Sequence, residues 1–535
     1  MEELCKERTS TVNSPTLELS AMAQLPENTH CVVCSEDGCY LCVGHSHGLM
    51  VFSTSSSDAV AEWKQDRLDI CSVQMTAVAV AERTYYLLGA VDDMGVARLF
   101  ALYSEAIHLL CVLNIMEEIN KRSICLSLDI LEGGQCGAAL FSCQGTSWLE
   151  IFHFPLESWQ KDLEMRQSPK QESLENMKVK GSPVSSLMKI QPLKMNEGPS
   201  TEGKHLDGPL DQLQPCDLSA HWLALDVIRS SSYQQETLSH SSAQGTKETS
   251  KSTRCCTQHF LLSCSHFTVD CKSGLPVAIG LWWSGSHNFL QYLLQKAPNK
   301  KQNAEPMPDV VWPNQYPILC SAVSTCTRYV ALGLGEASVC VWDRKLGAPV
   351  SILVVPDVSS AFFGIQFVDH CQKTADFFQS MSAQDSVLLT VLCKSGAIHT
   401  ISTGRGIKPR TVQLDKRLKH SRDIPVTMTS VPFLEGLIFV VQMTGKMFLQ
   451  DVINRKMVCV MTPPPTHAIT TSCNPVYALS NKQQTLFIRG DQRITGSGSS
   501  ESRSHLFVLR FGENDIIKQY IGSSTDFPTE CLSSQ

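Results

Sequence analysis

The feature that most constrains the fold is a repeated pair of apolar segments joined by a tight turn. The clearest copy extends over 31–52, where 35–38 (SEDG) and 45–48 (HSHG) are the two turns. Glycine, aspartate and asparagine suit such turns because they adopt the positive φ values that tight hairpins need. Eight turns of this kind contain Gly48, Gly95, Gly145, Gly285, Gly335, Gly396, Gly445 and Gly490.

The spacing of these turns predicts a β-propeller. Most successive turns are about 45–60 residues apart, close to the roughly 40–50 residues of one propeller blade. A blade is a sheet of four antiparallel strands, and neighbouring blades cover both of its faces. We therefore expect an all-β chain that forms one closed propeller of seven or eight degenerate blades. A different all-β fold with many hairpins stays the alternative.

The best preserved repeat extends over 318–343 and ends in the pair Trp342-Asp343. This pair resembles the one that gives WD repeats their name, so the expected propeller is of the WD40 type. In other repeats two apolar residues stand in its place, which predicts that the aspartate is lost there. Examples are Val51-Phe52, Leu99-Phe100 and Phe448-Leu449.

Two polar stretches interrupt the repeats. Serine, lysine, glutamine and glutamate dominate 165–215 and 230–256, and such a composition buries too little apolar surface to fold. Between them, 220–227 (AHWLALDV) predicts a strand, which we assign as the first of the fourth blade. The expected organisation is an N-terminal segment 1–25 with a first or closing strand, blades one to three in 26–164, a disordered insertion 165–215, a propeller strand in 216–229, a second disordered insertion 230–256, the remaining blades in 257–513 and a flexible tail 514–535.

Composition excludes several classes of function. The chain has 535 residues and a net charge of −7, which does not favour nucleic acid or an anionic membrane as partner. No apolar run approaches the roughly 18–20 residues of a membrane span, and the charged N-terminus is not a signal peptide. We expect an intracellular, cytoplasmic protein whose 23 cysteines are mostly small buried thiols.

The sharpest chemical motif is a pair of C-x-x-C sequences, Cys31/Cys34 and Cys39/Cys42, followed by His45 and His47. Such pairs suggest zinc. Only four residues separate them, however, and those four form the first turn of the repeat. Residues three apart on a strand face opposite sides, so we expect no metal site.

Other motifs also have structural explanations. The segment 333–338 (GLGEAS) precedes a strand, whereas a dinucleotide loop precedes a helix. The tripeptide 489–491 (RGD) matches an integrin-binding motif, but Gly490 is explained by a turn. No serine lies in a nucleophile elbow. We therefore expect no catalytic residue, no cofactor and no small-molecule substrate.

Two features are expected at the surface. Ser168 and Ser182 each precede proline in the first insertion and are candidate phosphorylation sites. A basic strip follows the sixth-blade strand, and we expect it to connect two blades as an extended loop that binds an acidic partner, with an ordinary solvated connector as the alternative. Its charges are Arg405, Lys408, Arg410, Lys416, Arg417, Lys419 and Arg422.

The degenerate repeats, with 91–98 (VDDMGVAR) and 114–125 (NIMEEINKRSIC), resemble the family of WD repeat-containing protein 93. The resemblance implies a scaffold that binds other proteins in a motile cilium or sperm flagellum, with axonemal or acidic tubulin-like surfaces as partners. Two alternatives stay open: a propeller that reads a modified peptide, and an accessory factor of the respiratory chain. A propeller that recognises a modified peptide needs a ring of basic residues to bind phosphate or an aromatic cage to bind methyl-lysine. No arginine recurs at equivalent blade positions, which favours the scaffold.

Overall fold

A computed structural model describes residues 15–80, 83–114, 122–166, 182–192, 255–263, 276–294, 306–356, 361–368, 386–414, 423–469, 475–493 and 503–521. These residues form eight sheets and very little helix. The chain is an eight-bladed WD40-type β-propeller, which confirms the predicted fold class. It divides into two compact units, a larger one of Pro26–Phe367 and Thr374–Lys416 and a smaller one of Met1–Leu25, Val368–Lys373 and Arg417–Gln535.

The larger unit contains six four-stranded sheets, in each of which the strands pair in chain order. Such meanders need only short hairpins, which is why glycine turns recur in the sequence. Sheet by sheet, the strands are β3 (Cys31–Cys34), β4 (Tyr40–His45), β5 (Gly48–Ser53), β6 (Ala59–Lys64); β7 (Ile70–Val80), β8 (Arg83–Asp92), β9 (Ala97–Tyr103), β10 (Ala106–Val112); β11 (Ile124–Ile130), β12 (Cys136–Cys143), β13 (Thr146–His153), β14 (Ser185–Ile190); β15 (Cys256–Leu261), β16 (Ala278–Trp283), β17 (Asn288–Leu293), β18 (Val310–Pro313); β19 (Ile318–Val323), β20 (Tyr329–Leu334), β21 (Ser338–Asp343), β22 (Ala348–Val354); β23 (Phe362–Phe367), β24 (Ser386–Cys393), β25 (Ile398–Gly404) and β26 (Ile407–Gln413).

The third sheet corrects the predicted insertion 165–215. Its fourth strand, β14, lies inside that range, and Ile190 at its end is fully buried. A helix, α1 (Leu156–Arg166), precedes it and packs Trp159 and Leu163 into the core of the sheet. Polar composition concealed this strand because only one of its side chains is fully buried.

The fourth sheet corrects the assignment of its first strand. That strand is β15, not 220–227, and β15 with β16, β17 and β18 completes the sheet. The segment 216–229 lies outside the described residues. Cys256 was placed at the end of an insertion because its neighbours are polar, yet it starts β15 and packs against the core.

The smaller unit contains two sheets that the N-terminal strands complete. In one, β1 pairs in parallel with β30; in the other, β2 pairs antiparallel with β34. Segments from both ends of the sequence are therefore hydrogen-bonded within single sheets. The strands are β1 (Thr16–Glu18), β2 (Ser20–Gln24), β27 (Pro425–Ser430), β28 (Leu437–Gln442), β29 (Met447–Asp451), β30 (Lys456–Thr462), β31 (His467–Ala468), β32 (Tyr477–Ser480), β33 (Thr485–Gln492) and β34 (Ser504–Arg510).

The predicted flexible tail 514–535 is wrong at its start. A short helix, α2 (Asp515–Lys518), follows β34, and Ile517 is fully buried in the core of the smaller unit. An isolated bridge joins Ile521 to Leu434. Residues 522–535 lie outside the described part of the chain.

Seven of the eight predicted glycine turns join the second and third strands of a sheet. Six of these glycines have positive φ, while the turn at Gly335 uses Glu336 and Ala337 instead. Gly490 is not in a turn. It lies within β33 opposite His505, and a Cβ there would stand 2.7 Å from Cε2 of Phe507. A close approach between strands, not a turn, therefore accounts for this glycine.

Both faces of a blade are buried, as β21 shows. Val339 and Val341 pack into the cluster shared with the sixth sheet, whereas Cys340 and Trp342 pack into the one shared with the fourth. Side chains alternate between the two faces of a strand, so an entirely apolar strand serves two cores at once. Full burial of one large apolar side chain stabilises the folded state by roughly 1.5–3 kcal/mol.

The Trp-Asp pair ends β21 in a buried polar cluster. Asp343 is fully buried and accepts two hydrogen bonds from Arg328, with distances of 3.1 and 2.8 Å. Its other oxygen accepts from the backbone N–H groups of Lys345 (2.9 Å) and Leu346 (3.3 Å). The carboxylate therefore joins the second strand to the turn that follows the third.

The aspartate is not lost in the repeat that contains Phe448-Leu449. Asp451 opposes the first residue of β28, as Asp343 opposes the first residue of β20. It accepts from the backbone N–H groups of Ile453 (2.9 Å) and Asn454 (2.7 Å). Gln450 stands in the position of the tryptophan. The sequence analysis therefore did not recognise a Trp-Asp pair in this repeat, although its aspartate is present.

We expect Asp343→Ala to lower the free energy of unfolding by about 3 kcal/mol, because it removes a buried carboxylate that accepts two hydrogen bonds from Arg328 and two from backbone N–H groups. Urea unfolding followed by tryptophan fluorescence measures this change. The control is Asp515→Ala, which removes an exposed carboxylate 2.7 Å from Lys518 Nζ. Equal stability of the two variants would contradict a structural role for Asp343.

Candidate protein-interaction surface

In the larger unit, the turn between the second and third strands lies beside the start of the first strand. Backbone hydrogen bonds of 2.9 Å show this: Gly335 N–H donates to Pro317 O, and Lys394 N–H donates to Ala361 O. The first strands and these turns therefore share one end of the sheets. We call this end of the larger unit the turn end.

Four first strands carry a β-bulge near the turn end, with Cys71, Leu126, Leu319 and Phe363 as the extra residues. A bulge sets two residues against one and redirects a side chain. Ile318 and Phe362 are buried at 1% and 3% exposure, whereas Leu319 and Phe363, the residues that follow them, are 39% and 58% exposed. The bulges therefore present apolar side chains at the turn end.

These side chains form two patches. The Leu319 patch comprises Leu319 and Phe363, on first strands that contact each other. The Met94 patch comprises Met94, Ile124 and Leu126, which are 55%, 46% and 45% exposed. Cys125 N–H donates to Gly95 O (2.8 Å), which places the turn that carries Met94 against the start of β11. Adjoining exposed apolar side chains are typical of surfaces that bind other proteins.

Polar side chains join neighbouring first strands beneath these patches. The carboxylate of Asp129 accepts from the amides of Gln74 (2.8 Å) and Gln258 (2.6 Å) and so links three sheets. His259 Nε2 lies 2.8 Å from the Ser321 hydroxyl, which links the fourth sheet to the fifth. These bonds fix β7, β11, β15 and β19 relative to one another, which makes the support of the exposed Leu126 and Leu319 stiff.

Burial lowers the pKa of His259 to about 4. The ring is therefore neutral near pH 7, and Nε2 can accept a hydrogen bond from Ser321, whose oxygen accepts from Trp282 Nε1 at 2.8 Å. Protonation would place a charge in a poorly hydrated position between two sheets.

The paired C-x-x-C motif lies on the first hairpin of the larger unit. Cys31 and Cys34 are on β3, Cys39 is exposed in the turn, and Cys42 is fully buried on β4. Burial raises the pKa of the Cys31 thiol to about 12, so this group is not ionised near pH 7. Within the described ranges no three His, Cys, Asp or Glu side chains are grouped to hold a metal ion, and no helix there is long and apolar enough to cross a membrane.

The remaining small motifs have structural surroundings. In the RGD tripeptide, Arg489 pairs with Asp491 along β33 through bonds of 2.9 and 3.1 Å. The segment 333–338 joins β20 to β21, and a Cβ at Gly333 would stand 2.5 Å from Cys320 Sγ. The Ser182 hydroxyl bonds to that of Ser158, whereas Ser168 lies outside the described residues.

The basic strip was predicted to be a loop between blades, and its described part is different. Arg405 is in the turn between β25 and β26, while Lys408 and Arg410 are exposed on β26, the outermost strand of its sheet. Exposed charges and a proline, here Pro409, protect an open sheet edge from pairing with another chain. Lys416, Arg417, Lys419 and Arg422 lie outside the described residues.

Sequence reasoning missed the bulged residues. It treated the first strands as regular segments, either alternating or wholly apolar, and regular strands contain no extra residue. The one available signal is a run of two large apolar residues at the start of a strand, such as Ile318-Leu319 and Phe362-Phe363.

The family model of WD repeat-containing protein 93 matches residues 29–339, more than half of the chain. The chain belongs to this family. The match includes the whole of the first four sheets and the Met94 patch, and it ends within β21 of the fifth. Family membership agrees with the WD40-type propeller described above.

Several solved structures are similar to this chain. Saccharomyces cerevisiae Sqt1 is 10% identical, with 93% of this chain and 99% of that chain covered and a TM-score of 0.45. Chaetomium thermophilum Sqt1, bound to the N-terminus of ribosomal protein L10, is 11% identical, with 92% and 100% covered and a TM-score of 0.49. The C-terminal WD40 domain of Sif2 is 8% identical, with 92% and 99% covered and a TM-score of 0.44.

We expect His259→Gln to make the protein less sensitive to acid. The folded-state pKa lies near 4 and the unfolded value near 6.5, so stability is full above pH 6.5 and decreases as pH falls toward 4. The loss from this group is up to about 3 kcal/mol. Urea unfolding at several pH values measures it, with His47→Gln, at an exposed position, as control; identical acid profiles for wild type and His259→Gln would contradict the assignment.

Proposed function

We propose that the protein is a non-enzymatic scaffold that binds other proteins through the turn end of its larger unit, within a ciliary or flagellar assembly. The observation that carries the binding role is the Leu319 patch, where bulges expose two large apolar side chains on adjoining strands. The ciliary setting is what the resemblance to the family of WD repeat-containing protein 93 implies.

The Leu319 patch has the physical properties of a binding centre. Leu319 and Phe363 each follow a buried residue, Ile318 and Phe362. The backbone that carries them is therefore already ordered, and binding costs little conformational entropy there. Large apolar side chains near the centre of an interface commonly carry most of its affinity. Rigid propeller loops and strand ends suit long-lived contacts of this kind.

The described bulges do not favour the reading of a modified peptide. Their extra residues in the larger unit are one cysteine, two leucines and one phenylalanine. Such a set offers neither the several cations that hold phosphate nor the aromatic cage that holds methyl-lysine. It suits an apolar segment of a partner protein.

The basic strip is a second proposed contact, for an acidic partner such as the tails of tubulin. Arg405, Lys408 and Arg410 are exposed on one outer hairpin, where several weak ion pairs can act together. Each pair contributes only about 0.2–1 kcal/mol, so binding through the strip is salt-sensitive.

Replacing Leu319 and Phe363 together by serine is expected to reduce recovery of the native complex from ciliated tissue at least about fivefold. Quantitative affinity purification with mass spectrometry measures recovery, and thermal unfolding checks that the fold is retained. The matched control replaces Ile352 and Val354 by serine; these two side chains are 62% and 66% exposed on the outer strand β22. Normal recovery of the complex with the first variant would remove the Leu319 patch as the binding centre.

Two variants with reversed charge test the basic strip. In the first, Lys416, Arg417 and Lys419 are replaced by glutamate; in the second, Arg405, Lys408 and Arg410 are replaced by glutamate. We expect each to weaken cosedimentation with microtubules, more so at low salt, because acidic tails are attracted by the native charges. Microtubules stripped of their tails by subtilisin provide the control. If both variants sediment like the wild type, the strip serves only as a solvated connector and a protected edge.

A further inference from the structure

We propose that the Met94 patch binds a partner segment in which an apolar side chain stands next to a lysine or arginine. This inference rests on the proposed function, because it assigns a partner chemistry to the same turn end. It concerns the second and third sheets, whereas the Leu319 patch belongs to the fifth and sixth.

Two carboxylates border the Met94 patch. Asp93 directly precedes Met94, and its N–H donates to Asp69 O at 2.9 Å, which brings the two aspartates together. Both charges act on the bulged Cys71, whose pKa is raised by burial and then by Asp93, Asp69 and, least of the three, Asp92. The bulge of β7 and the turn of the second sheet therefore bring two negative charges to one place.

Neighbouring Asp92 has a different role. It is 5% exposed, accepts from Val96 N–H at 2.7 Å and pairs with Arg98 at 2.6 Å. Its charge is thus satisfied inside the sheet. Asp93 and Asp69, by contrast, form no ion pair with another residue of the described chain, and two adjoining carboxylates attract a cation more strongly than one.

Two cations lie in the same region and limit where a partner's charge can stand. Arg122 donates from Nη2 to Met94 O at 2.9 Å, so its guanidinium is held against the turn. Arg67 is exposed in the connection between β6 and β7. Because β7, which carries Cys71, contacts β11, which carries Leu126, we place the partner's cation on the Cys71 side of Asp69 and Asp93, towards Leu126.

The apolar part of the patch fits the rest of such a segment. Met94 is the most exposed of its three side chains at 55%, and a thioether adapts to irregular apolar surfaces. Ile124 and Leu126 start β11, which the turn of the second sheet holds by a backbone bond from Cys125. An apolar side chain set between Met94 and Leu126 places the next residue of the segment close to the carboxylates.

The test uses short fluorescein-labelled synthetic peptides and fluorescence anisotropy with the full chain. One peptide alternates leucine with lysine, a second leucine with glutamate and a third serine with lysine. We expect the leucine–lysine peptide to bind at least about tenfold more tightly than either of the others, and its affinity to fall as salt rises. Equal binding of all three peptides, or no binding of the first, overturns the proposal.

Variants then assign the two parts of the site. Asp69→Asn with Asp93→Asn is expected to weaken the leucine–lysine peptide at least about fivefold and to flatten its salt dependence. Met94→Ser with Leu126→Ser is expected to weaken it as much while the salt dependence stays. Matched controls are Asp58→Asn, an exposed aspartate before β6, and Leu187→Ser, 45% exposed on β14.

Binding that is unchanged in both patch variants would place the peptide elsewhere and overturn the proposal. This failure is distinguishable from failure of the proposed function, which depends on recovery of the native complex by the variant at Leu319 and Phe363. Suppose that the variant at Leu319 and Phe363 loses the native complex, while the wild-type chain binds the leucine–lysine peptide no better than the other two. The proposed scaffold function then stands, and only the present inference is refuted.

Discussion

Burial of both faces of the second to fifth sheets is the constraint on which the larger unit depends. A single strand such as β21 supplies side chains to two hydrophobic clusters, one on each face, so neither cluster is complete without the neighbouring sheet. Stability therefore grows sheet by sheet, as in other repeat architectures. The same requirement explains the low content of charged residues, 18% of the chain.

This constraint also decides where function can reside. Faces committed to packing offer nothing to a partner, so binding is left to the ends and outer edges of the sheets. At the turn end, bulges redirect Leu126, Leu319 and Phe363 out of the packing pattern. Asp129, on the same strand as Leu126, accepts hydrogen bonds from Gln74 and Gln258 and so holds β7, β11 and β15 together.

The outer edges are treated differently from sheet to sheet. The edge formed by β30 is covered by β1, and the edge formed by β26 carries Lys408, Pro409 and Arg410. Both devices hinder pairing with a foreign strand. The charges of the basic strip thus have a structural use that is independent of any acidic partner, and the microtubule test separates the two.

Much of this architecture was predictable from sequence because glycine turns and apolar strands are local signals. The turns at Gly48 and Gly396 and the Trp342-Asp343 pair follow from residues close together in the chain. What the sequence alone determined is therefore the class of fold, the repeated hairpins and the family. Tertiary structure decided which polar segment became β14 and that Gly490 avoids a clash with Phe507 inside a strand. It also gave Asp451, which follows a glutamine, the same place in its repeat that Asp343 has after Trp342. It also decided the candidate site, since a bulge exposes Phe363 only because the partner strand is one residue short at that point, and such pairing depends on residues far apart in the sequence.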